Sequence, residues 1–132
     1  MLKEIALKDK YDLLVDLGKN RIYLNLKGTW NRISEVPQYM DDLTECVKLL
    51  RPGFSSLSDA THFAAPTQEI TDLFLEATEY MRVKGHTRSA AIIDTAYLRL
   101  YLDHHSGEMT KDELVTMYFD NAAEAEEWLD TQ

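Results

Sequence analysis

The chain has 132 residues, 45% apolar and 28% charged side chains, a single cysteine, and 14 Lys+Arg against 23 Asp+Glu, for a net charge of −9. These figures describe one acidic globular domain, long enough to bury an ordinary core, and exclude a disulfide framework and a basic nucleic-acid-binding surface. The lone Cys46 has no intrachain partner, which points to a reducing, cytoplasmic setting.

Residues 1–10 read as an N-terminal extension or edge segment of a single domain spanning 1–132. Lys3, Glu4, Lys8, Asp9 and Lys10 leave no apolar signal-peptide region there, and no later run approaches the roughly 18 apolar residues of a membrane span. Neither export by that route nor a membrane anchor is expected.

Leu13, Val15 and Leu17, then Ile22, Leu24 and Leu26 against Tyr23, Asn25 and Lys27, alternate with a period of two, predicting two strands joined through Gly18-Lys19-Asn20 as a hairpin. From Ser34 the period changes. Val36, Tyr39, Met40, Leu43, Cys46, Val47 and Leu50 predict a helix capped by Ser34, with Pro37 in its first turn and Pro52-Gly53 beyond its end. Cys46 falls on the apolar stripe and reads as a small core residue rather than a nucleophile.

Residues 54–63 are predicted as a strand, and a second helix starts near Thr67, with Ile70, Leu73, Phe74, Ala77 and Met81 on one face and its end before Gly85. Arg82, Lys84 and Arg88, with His86 among them, form the only basic cluster. It suits a helix C-terminus better than a phosphodiester backbone. Residues 89–94 read as a buried strand. Ala96 to His105 reads as a short helix, on which Tyr97 and Tyr101 suit either ordinary packing with exposed phenols or an aromatic patch for a partner or for self-association. Residues 114–119 predict the last strand, and Asn121 opens a final helix whose apolar face is Ala122, Ala125, Trp128 and Leu129. Residues 108–132 hold eight carboxylates against Lys111, so most of the acidity is C-terminal. The order ββαβαβαβα predicts an α/β fold, a mixed and mostly parallel sheet of about five strands covered by about four helices.

Chemical apparatus is sparse. The five glycines form no phosphate-binding loop, His104 and His105 are adjacent and cannot turn both rings to one metal from a helix, and no other pair has ligand spacing, so neither cofactor nor metal is expected. Ligands of open α/β sheets sit beyond the carboxyl ends of the strands. A pocket there would be lined by Thr61, His62, Pro66, Thr67, Asp94, Thr95 and Tyr97, although Asp94 or Thr95 equally suits a helix cap. Trp30, following the second strand, suits either a cover over the sheet end or a contact surface.

The segment Arg21-Ile-Tyr-Leu-Asn-Leu-Lys-Gly28-Thr-Trp30, the junction Ala64-Ala65-Pro66-Thr67 and the ending from Met117 to Trp128-Leu129, set in this element order, resemble the STAS-like family of anti-sigma-factor antagonists, in particular its small stand-alone bacterial domains. The resemblance implies a non-enzymatic regulatory domain that works by protein–protein interaction. In that family a serine of an Asp-Ser-Ser-Gly type motif opens the helix after the central strand and is phosphorylated. This junction lacks the Asp, the Ser and the Gly, leaving Thr67 as the one candidate phosphosite, with an N-cap as its structural alternative. The alternative function is binding or sensing of a small apolar or acyl ligand. An enzyme with His62 or Asp94 as general base ranks third.

Overall fold

The structure, a computed structural model, describes residues 2–94, 109–111 and 114–132. Strands β1 (Leu2–Leu7), β2 (Tyr11–Asp16) and β3 (Arg21–Gly28) are followed by a 3-10 turn (Ile33–Glu35) and helix α1 (Tyr39–Lys48). Then come β4 (Ser55–Phe63), α2 (Gln68–Val83), β5 (Arg88–Ile92), β6 (Met109–Lys111), β7 (Leu114–Phe119) and α3 (Ala122–Asp130). The strands form one sheet in the order β1-β2-β3-β4-β5-β7-β6. β3, β4, β5 and β7 run parallel, with antiparallel β2 and β1 on one flank and antiparallel β6 on the other.

The α/β class agrees with the sequence reading, but the counts differ. Among the described residues there are seven strands and three α-helices, where about five and four were expected. β1 escaped the period-two test because it is an edge strand with only Ala6 buried, and β6 has three residues, too few to show a period. The helix expected over Ala96–His105 lies outside the described residues.

Both crossovers between parallel neighbours, β3–α1–β4 and β4–α2–β5, step across the sheet in the same direction, and right-handed connections therefore put α1 and α2 on one face, here called the front. Under them lies the larger core: Leu13, Val15, Ile22 and Leu24 from the hairpin, Leu43, Cys46 and Val47 from α1, and Ile70, Leu73, Ala77 and Met81 from α2. Trp30 is fully buried among Tyr11, Tyr39, Phe63 and Phe74, all with ring centroids 5.2–5.7 Å from its own, and donates from Nε1 to the carbonyls of Lys10 and Lys27. It is a core residue rather than a contact surface.

On the back face α3 packs Ala125 and Leu129 against Leu57, Ala90, Ile92 and Phe119, with Tyr23, Met117 and Trp128 at the margin. Arg21, 4% exposed, secures that helix: it donates from Nη1 to Glu126 and Asp130 and from Nε to Ser55 Oγ, while Tyr23 Oη donates to Glu126 at 2.7 Å. Burial, with Glu126 accepting from the phenol, pushes the Tyr23 pKa up to about 12.

The hairpin joins β2 to β3 as expected, with Asn20 at φ 54 and its amide exchanging two hydrogen bonds with the Arg51 backbone. The start of the first helix is corrected. Ser34 lies inside the 3-10 turn, and α1 begins only at Tyr39 after Gln38. Pro37 disfavours helical backbone at the residue before it, and Val36 adopts φ −133, ψ 58.

Candidate functional site

At the carboxyl ends of β4 and β5 the front of the sheet opens into a cleft of about 340 Å³. Its lining is Ala60, Thr61 and Phe63 from the end of β4, Ala64, Ala65 and Pro66 from the loop into α2, and Ile93 and Asp94 just past β5. The backbone holding these side chains is tied down: Ala64 N–H donates to Gly28 O at 2.9 Å, extending the β3–β4 pairing, and Ile93 N–H donates to Phe119 O at 2.9 Å, extending the β5–β7 pairing. Phe63 is the aromatic wall among the described residues, set edge-on to Trp30 at 5.3 Å and tilted against Phe74 at 5.8 Å, so the cleft adjoins the buried aromatic cluster.

A β-bulge near the end of β4 decides who lines the cleft. Asn25 pairs with Asp59 and Lys27 with His62, so Ala60 and Thr61 stand opposite Leu26 alone. Asp59 Oδ1 accepts from Thr61 N–H at 2.9 Å and holds the extra residue in place. Because one inserted residue reverses the alternation beyond it, Phe63 turns to the front and His62 to the back.

Of the residues expected in the pocket, Thr61, Pro66 and Asp94 are brought together. His62 is not. It lies in a separate back-face groove of about 220 Å³ with Asp12, Asn25, Lys27 and Asp59, where Lys27 Nζ is 3.2 Å from both Asp12 carboxylate oxygens. Thr67 caps α2: its hydroxyl accepts from Ile70 N–H at 3.4 Å and donates to Asn31 O at 2.8 Å. Thr95, Tyr97 and Tyr101 lie outside the described residues. The wall residues Phe63 and Ile93 were not anticipated. The available signal was Asp59, whose carboxylate can accept from the amide two residues on and so mark a bulge.

Among the described residues the cleft offers one hydroxyl and one carboxylate on an otherwise hydrocarbon wall. Elsewhere, burial pushes the Cys46 thiol up to about 12 and the His86 imidazole down to about 4. Neither lines the cleft, and both are core groups. Among the described residues no three His, Cys, Asp or Glu side chains are placed to share a metal ion, and no helix is long and apolar enough to cross a membrane. Arg88, of the basic cluster, lies over the Trp128 ring at 5.8 Å. In comparisons with protein-family models, curated proteins and solved structures, no match to this chain was found.

Proposed function

We propose that the chain is a non-enzymatic binding domain of STAS-like organisation, that it works in a reducing cytoplasm, and that its receptive site is the cleft at the carboxyl ends of β4 and β5, which takes a small apolar ligand. The observation that carries this reading is the coincidence of place and chemistry. The cleft lies where open α/β sheets receive ligands, and six of its eight described lining side chains are hydrocarbon. In this reading Thr67 is a helix cap rather than a switch, its hydroxyl already engaged on both sides.

The test is native mass spectrometry of the protein purified from its own host, repeated after denaturation and on an Ala64→Trp variant that fills the cleft. Extra mass lost both on denaturation and in the variant supports the reading. A bare chain, together with no thermal stabilisation by any small apolar probe, overturns it.

A second reading is a regulatory partner held on the surface. It is favoured by the outer side of α3, where Asp120, Glu124 and Glu127 are exposed, and it calls for a basic protein surface. Binding that weakens steeply with salt and is lost on reversing these charges distinguishes it from the cleft reading.

A further inference from the structure

We infer that the cleft between the carboxyl ends of β4 and β5 takes a ligand of modest size and discriminates against carboxylates and phosphates. This rests on the reading that the cleft is the binding site, and it narrows the ligand from apolar molecules in general to those without an anionic group.

The first argument is charge. Among the described residues the lining holds no lysine, arginine or histidine, and Asp94 is its one ionisable side chain. Asp94 makes interactions of its own and adds no positive charge. The bulge matters here, because regular alternation would have turned His62 toward the front. An anion entering this cleft would exchange its hydration for alanine, proline, isoleucine and phenylalanine, and would approach a carboxylate while doing so.

The second argument is the backbone. Oxyanions are commonly held by amide N–H groups at loops and helix N-termini. Here Thr61 N–H donates to Asp59, Ala64 N–H to Gly28 O, and Ile93 N–H to Phe119 O, and Pro66 has no N–H to give. The first turn of α2 is directed elsewhere: Thr67 caps Ile70 N–H and bonds Asn31 O, while Glu69 brings a carboxylate to that turn and accepts from Ile33 N–H at 2.6 Å.

The third argument is size. A volume of about 340 Å³ lies at the low end of the roughly 300–1,000 Å³ typical of small-molecule sites, which fits a short hydrocarbon body with one hydrogen-bonding group able to reach the Thr61 hydroxyl.

The experiment compares 1-octanol and octanoate, equal in chain length and different in charge. Binding is followed near pH 7.5 by calorimetry and by the fluorescence of Trp30, which contacts the Phe63 wall. The expected result is saturable 1-octanol binding at least about tenfold tighter than octanoate binding, abolished by Ala64→Trp and weakened by Thr61→Val. Octanoate binding as tightly as the alcohol overturns the inference while leaving the cleft reading standing. If neither binds, or if binding is unchanged in Ala64→Trp, both the inference and the cleft reading fail.

Discussion

His86 should make the fold sensitive to mild acid. It follows the turn after α2 and is 5% exposed, with Nε2 2.8 Å from Ser56 Oγ, its ring stacked on Phe54 at 5.2 Å and 13°, and Nδ1 without a hydrogen-bond partner. Burial lowers its pKa from 6.5 to about 4, the Arg88 backbone acting weakly in the opposite sense. Between these two values the unfolded chain binds the proton and the folded chain does not. Stability is therefore fully present above about pH 6.5 and is lost as pH falls toward 4. At about 1.4 kcal/mol per pH unit the whole shift is worth about 3 kcal/mol, of which about 2 kcal/mol is lost by about pH 5. Stopping there avoids most of the carboxylate titration, including that of Asp130, whose pKa is held down by hydrogen bonding from Arg21. The assay is urea unfolding followed by tryptophan fluorescence from about pH 7.5 to about pH 5, on wild type and on His86→Gln. The variant should be less stable at neutral pH, through the lost ring stacking, but its stability should change much less across the window. Equal losses in the two proteins, or a wild-type loss below about 0.5 kcal/mol, would refute the assignment.

Arg21→Met should cost about 2–3 kcal/mol, since it leaves Glu126 and Asp130 beside an apolar side chain, and amide exchange should accelerate first in Ala122–Asp130; uniform acceleration over the whole sheet would contradict a local anchoring role. Gly85→Ala should destabilise by about 2 kcal/mol or more, because the backbone sits at φ +107 and an added Cβ would meet the Pro52 Cα at 2.5 Å; an unchanged urea midpoint would show that this contact relaxes freely. Cys46 should resist thiol reagents in the native state and react only as the protein opens, its thiol being buried and pushed up to about 12; rapid labelling without urea would contradict the described packing.

The elements that sequence reading recovered are those in which local chemistry and packing agree. In α2 and α3 a side-chain cap precedes an apolar stripe: Thr67 accepts from Ile70 N–H, and Asn121 accepts from Glu124 N–H at 2.9 Å. The β2–β3 hairpin shows the same agreement, its alternating residues facing one core and its turn containing a positive-φ asparagine. Ser34 misled because it is a good cap type in the wrong place; the restriction Pro37 imposes on Val36 outweighs a favourable side chain three residues earlier. β1 and β6 show no apolar alternation because edge strands gain their pairing from a neighbour and need little apolar pattern of their own, so residues 1–10 read only as an extension or edge segment.

The candidate site was legible as a location and not as a constellation. The topological rule for open α/β sheets pointed to the ends of β4 and β5, and nearness to that end placed His62 with the pocket residues. The bulge at Ala60 and Thr61 separates them by turning His62 to the back, and it is held by the bond from Thr61 N–H to Asp59 Oδ1.

The two ends of β4 have opposite physical characters, and the contrast bears on where binding occurs. At the amino end, Gly53 N–H donates to Gly85 O at 2.7 Å, Thr87 N–H donates to Phe54 O, Asn20 is bonded to Arg51, and the ring of His86 fills the space beside Ser56. Each neighbouring loop is bonded to another across that edge, so opening it would break several contacts together. At the carboxyl end the pairing of β4 is already irregular, and the loop leaving it is Ala64-Ala65-Pro66, whose short side chains cannot fill the gap beside Ile93. Space therefore remains at one end of the strand because the residues there are small, and it remains apolar because the bulge turns His62 away. A ligand entering there would displace water from hydrocarbon without breaking any of the backbone hydrogen bonds that hold Ala64 and Ile93.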